Sequence, residues 1–179
     1  MSIMQPFRSS RKKGQAFSTE FLLAYLIFSL VLVFAFYLWN TTTADIIEAK
    51  NRYEIEDKAV ELAEKLLRTR GIPADWSLSD VESIGLADES RILNSGKVLN
   101  FVILMNSSNQ NYENNSWLLG IGKYDFYFNL TYINGTTMSI NDTLCSAGTK
   151  AVNETSMITV QRTGLLNNEI VTIKLTVWE

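Results

Sequence analysis

Histidine is absent from the 179 residues, cysteine occurs once and proline twice. Without imidazole, Ser-His-Asp triads and typical zinc sites are out of reach. Cys145 has no partner for an intrachain disulfide, so packing must hold any folded part together. Basic residues are sparse beyond the N-terminus and acids outnumber them, 19 to 16, which leaves no electrostatic footprint for nucleic acid. Gly120-Ile121-Gly122-Lys123 lacks the spacing and the following Ser/Thr of a phosphate loop. The acidic stretch from Asp45 to Asp57 lacks calcium-loop spacing and reads as helix. These absences leave neither a catalytic constellation nor a cofactor site to expect, and a non-enzymatic role is the expectation.

Charge is also missing, along with Gly and Pro, from Phe21 to Trp39. At about 1.5 Å per residue this run covers roughly 28 Å, close to a hydrocarbon core of about 30 Å. A domain of this size would rarely bury such a helix on every side, so a membrane span is the reading. Arg8, Arg11, Lys12 and Lys13 precede it, and the first charges beyond it are Asp45 and Glu48. The positive-inside bias then keeps the N-terminus in the cytoplasm and places everything after Trp39 outside.

Asn-x-Ser/Thr triplets start at Asn40, Asn106, Asn114, Asn129, Asn134, Asn141 and Asn153, all beyond the span. That is more than 15 Asn would scatter by chance, and it suits surface acceptors for N-linked sugar. A bare, Asn-rich polar surface is the plainer alternative. Asn40 is the poorest candidate, being nearest the membrane.

Small and polar residues precede the apolar core rather than following it, unlike a secretory signal peptide. Basic residues, then Lys13-Gly14-Gln15, then Ser18, Glu20 and Phe21 at the mouth of the helix: this order resembles the class III signal peptides of archaeal type IV pilins. The likeness covers about the first forty residues. It implies that a prepilin peptidase removes residues 1 to 14 between Gly14 and Gln15 and leaves the apolar helix as the mature N-terminus. The family usually reads G-Q-x-S-x-E-F, whereas "GQAFSTEF" holds one residue more. Glu20 is thus sixth after a cut at Gly14 and fifth after a cut at Gln15, and both bonds remain open. Cleavage creates a cationic α-amine beside a helix that packs on other helices, and a carboxylate from a neighbouring subunit offsets the cost of burying it. The resemblance gives Glu20 that assembly role; alternatively it only marks the membrane boundary.

The implied protein is a major or minor structural subunit of a surface filament. Its partners would be the prepilin peptidase, the membrane before assembly, the pilus assembly platform and other pilin subunits. The competing expectation is a non-polymerising, single-pass anchored protein whose extracellular head binds or adheres.

The expected organisation is a signal peptide over 1–14, a transmembrane and assembly helix over 15–39, an amphipathic extension over 40–70 and an α+β head over 71–179. In the extension Ile55, Ala59, Val60, Leu62, Ala63, Leu66 and Leu67 share one side at helical spacing. Glu54–Lys58, Glu61–Lys65 and Glu64–Arg68 stand in favourable i,i+4 order, and Gly71 is the expected stop. In the head, a turn and one or two short helices are expected over 71–90. A helix capped by Asn94 or Ser95 follows, with Val98, Leu99, Val102 and Met105 inward, although its β-branched residues also suit a strand. The polar stretch 106–116 reads as a loop or short helix. Phe126, Phe128, Leu130 and Tyr132 then alternate as a strand, with a tight turn at Asn134-Gly135. Val171, Ile173, Leu175 and Val177 alternate in a last strand joined to 156–163 through Gly164 to Asn168. Asn129 is expected on the outward face of its strand. Trp76, Trp117 and Trp178 are expected in the core or an interface.

Overall fold

The computed structural model describes residues 18–107, 109–152 and 156–179. Helix α1 runs Thr19–Arg68, and the chain divides into two compact units, Met1–Ile47 and Glu48–Glu179. The architecture is α+β, a long N-terminal helix followed by a globular head.

In the first unit α1 is exposed all round, and no residue from Thr19 to Ile47 is buried. It opens with Ser18, whose Oγ accepts the Phe21 N–H at 3.2 Å, an N-cap that satisfies one orphan amide.

The second unit holds the core. Its six-stranded sheet comprises β1 (Ala87–Glu89), β2 (Ile92–Leu93), β3 (Asp125–Tyr132), β6 (Ser146–Gly148), β7 (Met157–Leu166) and β8 (Glu169–Trp178). The strand order is β1-β2-β7-β8-β3-β6, with a separate ribbon of β4 (Ser139–Ile140) and β5 (Thr143–Leu144). One face of the sheet presents Phe126, Phe128, Leu130, Val171, Ile173, Leu175 and Val177, all fully enclosed. Helix α2 (Ser95–Asn106) lays Phe101 on this face, edge-on to Phe128 at 5.1 Å and stacked on Phe126 at 6.3 Å. The α1 residues Ile55, Ala59, Leu62, Ala63, Leu66 and Leu67 are buried in the same core, and each large one contributes about 1.5–3 kcal/mol by leaving water.

Several local expectations are corrected by long-range contacts. Helix α1 ends at Arg68 rather than running to Gly71, with the Thr69 N–H closing on Lys65 O at 3.0 Å. Gly71 follows at φ +85°, the left-handed conformation that suits glycine. Residues 71–86 form no helix: Ile72 bridges Ser83, and Trp76 Nε1 donates to Gly85 O at 2.8 Å, folding the segment around a buried indole. Helix α2 is capped by Asn94, whose Oδ1 accepts from Lys97 N at 3.1 Å, but Phe101 and Leu104 are buried where Leu99 is only half-buried. The polar stretch folds as α3 (Asn109–Ser116) and a 3-10 turn, Trp117–Leu119.

Gly164 lies within β7, and the turn is only Asn167-Asn168, both at positive φ (51° and 67°), as a type I′ hairpin requires. A Cβ on Gly164 would stand 2.7 Å from Leu67 Cδ1, so glycine there lets α1 settle onto the strand. Strand β2 runs parallel to β7, so the sheet is mixed. The tight turn at Asn134-Gly135 is present, with the Tyr132 N–H donating to Thr136 O at 2.9 Å, and the returning chain bridges Thr131 to Thr137. Of the expected i,i+4 pairs only Glu64–Arg68 forms. Lys58 meets Glu61 at 2.6 Å instead, and Lys65 turns to the carbonyls of Leu118 and Leu119 at 3.1 and 3.2 Å. Trp76 and Trp178 are buried, whereas Trp117 is exposed.

Candidate functional site

Two surfaces are the candidates: the apolar length of α1 and the triplet-bearing surface of the head. From Phe21 to Trp39 Phe, Leu, Val, Ile, Tyr and Trp side chains face outward on every side of α1. The helix is long and apolar enough to cross a membrane. Glu20 lies in its first turn, where the helix dipole favours a carboxylate, and among the described residues no cation bonds it. Gly14 and Gln15 lie outside the described residues, as does Asn153.

The remaining triplet asparagines fall into two sets. The Asn106 amide bridges the outer edge of β6: Nδ2 donates to Ser146 O at 2.7 Å, and Oδ1 accepts the Gly148 N–H at 3.2 Å. Asn129 stands on the sheet face away from α2, half-buried between Lys174 and Ser146 on the flanking strands. Its Oδ1 is enclosed without a partner, and the hydroxyl-bearing Thr131 of its triplet is itself buried, donating to Thr172 O at 3.3 Å. Asn106 is exposed despite its bonds to β6, as are Asn114 on α3, Asn134 in its turn and Asn141 at the β4–β5 turn with φ +49°. Asn134 Oδ1 accepts both the N–H of Thr136, at 3.0 Å, and its hydroxyl. Asn40 lies on α1, also exposed.

Polar groups inside the head serve its structure. Lys97 is buried, its ammonium bonded to Ala87 O at 3.0 Å and to Asp88 at 3.1 Å. The Asn94 amide, with Lys97 beside it, holds the Asp88 carboxyl below the usual range. Burial pushes the Cys145 thiol up, away from nucleophilic thiolate. Tyr112 donates to Asp125 at 2.9 Å and accepts the Phe126 N–H at 3.0 Å; burial raises its phenol. Among the described residues no group of three or more His, Cys, Asp or Glu is placed to hold a metal. A shallow depression beside β2 and β7 is lined by Arg91, Ile92, Thr163 and Leu165, with no carboxylate or thiol to act as acid, base or nucleophile.

The structural use of Asn106 and Lys97 was missed in the sequence. Lys97 carried one visible signal, a cation in the first turn of a helix, where the dipole disfavours positive charge. No protein-family description matches the chain, and no curated protein or solved structure matches it either.

Proposed function

We propose that this chain is a structural subunit, major or minor, of an archaeal type IV pilus-like surface filament. In this reading a prepilin peptidase processes it, the membrane holds it, and an assembly platform packs its apolar helix against those of other subunits. The supporting observation is the apolar surface from Phe21 to Trp39, where no residue is buried among the described residues, headed by Glu20 in the first turn of the helix. Lipid satisfies such a surface before assembly and neighbouring helices satisfy it afterwards. The resemblance at Lys13-Gly14-Gln15 and Glu20 distinguishes a subunit from a plain anchor, which needs neither a cut before the span nor a carboxylate at its start. The head is the extracellular part, and its role is structural or adhesive rather than catalytic.

The test combines N-terminal sequencing with shearing of cells. A mature chain starting at Gln15 or Ala16 is expected in the sheared fraction, and Gly14→Val should block the cut by crowding the scissile bond. Glu20→Gln keeps the shape but leaves a neighbour's buried ammonium unpaired, a loss of about 3–5 kcal/mol repeated at each subunit. Filament yield should collapse while processed protein accumulates in the membrane. An intact N-terminus, with no protein released by shear, would identify a non-polymerising anchor instead.

A further inference from the structure

The most exposed large apolar side chains of the head after Gly71, among the described residues, are Trp117 (67%), Ile133 (71%), Leu144 (60%) and Val152 (72%). Each lies within three residues of a triplet asparagine: Asn114, Asn134, Asn141 and Asn153, in that order. Residues next to the other two head triplets are opposite in character. Met105 beside Asn106, and Phe128 and Leu130 beside Asn129, are buried, and Ile103, three residues before Asn106, is less exposed at 40%. Single exposed apolar side chains are ordinary on a protein surface; the observation here is that the four most exposed coincide with triplets, so the same stretch of chain carries a group to which a cover can be attached.

We propose that Asn114, Asn134 and Asn141 carry N-linked glycans that lie over Trp117, Ile133 and Leu144, while Asn106 and Asn129 are unmodified structural residues. The inference rests on the extracellular placement proposed above. In the modification, Nδ2 attacks the anomeric carbon of a sugar donor held on lipid through phosphate. The C1–O bond breaks, the lipid phosphate leaves with the electron pair, and Nδ2 releases one proton. This needs an Nδ2 that points to solvent and a reachable hydroxyl two residues on.

Asn134 meets both needs. Its Oδ1 is engaged by the Thr136 N–H and hydroxyl, which leaves Nδ2 at the surface of an exposed turn. Asn141 occupies the tip of its hairpin, and Asn114 the open side of α3, where the Ser116 hydroxyl donates to Glu113 O at 3.1 Å but stays at the surface, unlike the enclosed Thr131 hydroxyl. In Asn106 both amide atoms are committed to β6, and in the Asn129 triplet the Thr131 hydroxyl is enclosed. The sugars' C–H faces suit the ring of Trp117 and the aliphatic ends of Ile133 and Leu144, giving each glycan an apolar seat beside its attachment point.

The experiment uses full-length chain from membranes of the producing organism, with glycopeptide mass spectrometry at every triplet. Sugar is expected at Asn114, Asn134 and Asn141 and absent from Asn106 and Asn129. Asn114→Gln, Asn134→Gln and Asn141→Gln should each remove the mass of one glycan, and Asn129→Gln none. Trp76 and Trp178 are buried and the exposed Trp39 on α1 is common to both variants, so the rise in fluorescence quenched by a water-soluble agent on Asn114→Gln, relative to the unmutated chain, should report uncovered Trp117. Sugar at Asn106 or Asn129, bare exposed sites, or unchanged quenching after loss of the Asn114 glycan would each overturn the inference. Protease shaving of intact cells separates the two levels: a shaved but bare head overturns the glycan assignment alone, and a protected head overturns the extracellular reading with it.

Discussion

The two lengths of α1 are one helix by backbone hydrogen bonding and two different objects by environment. Between Thr19 and Ile47 no side chain is buried; between Glu48 and Arg68 six are, all on one stripe. The first length is the more hydrophobic, yet only the second belongs to a core. Hydrophobicity therefore does not locate the core of this protein. Amphipathicity does, because a stripe with a charged reverse side can be satisfied from one direction while a uniformly apolar cylinder needs cover from all.

The sharpest way to break this contrast is to cut equivalent side chains from both lengths. Leu66 is fully enclosed, so Leu66→Ala should destabilise the head by about 2–5 kcal/mol through lost burial plus a cavity. Leu32→Ala should leave the head's unfolding midpoint unchanged. Denaturant titration of detergent-solubilised protein, followed by near-ultraviolet circular dichroism, reads both, and equal effects would erase the distinction. A smaller effect comes from the strand beneath the second length. Gly164→Ala places a methyl 2.7 Å from Leu67 Cδ1 and 3.1 Å from Arg91 O, for a cost of about 1–3 kcal/mol. Trimming Leu67 to Val in the same chain should recover part of it, which a double-mutant cycle measures.

The smallest expected effect is electrostatic. Arg162 on β7 donates to Glu64 at 2.7 Å, and with Arg68 it holds the Glu64 carboxyl below its ordinary value. A carboxylate with a depressed folded-state pKa adds stability that is complete above the ordinary range and fades as pH falls through the depressed value. Both partners are partly exposed, so the contribution is at most about 1 kcal/mol. Glu64→Gln should accordingly lower the melting temperature slightly near neutrality and lose that difference in acid. A constant difference across the whole range would assign the effect to packing instead.

Periodicity made much of this fold legible beforehand. The buried stripe of α1, the Asn94 cap of α2 and the alternation in β3 and β8 are short-range patterns whose cause sits within a few residues. What escaped depends on distant partners. Gly164 resembles a turn residue until Leu67 is seen to need its space, and the segment 71–86 is shaped by the Trp76 indole reaching Gly85 rather than by propensity. Lys65 leaves its helical neighbour for the carbonyls of Leu118 and Leu119, more than fifty positions away. The triplets could be counted from the sequence, but their sorting could not. Asn106 and Asn114 look alike until β6 is found against one of them.

The contact between Glu64 and Arg162 spans 98 positions of chain. At a synthesis rate of about 5–20 residues per second, the strand that covers the second length of α1 emerges roughly 5–20 s after the helix itself. During that interval the newborn chain presents a greasy stripe next to a segment that is apolar on every side. Under the membrane reading proposed above, lipid is then a competitor for the stripe as well as a host for its neighbour. The charged reverse side, Lys50, Glu54, Asp57, Lys58 and Glu61 among it, keeps that competition one-sided until the ribosome delivers the final hairpin.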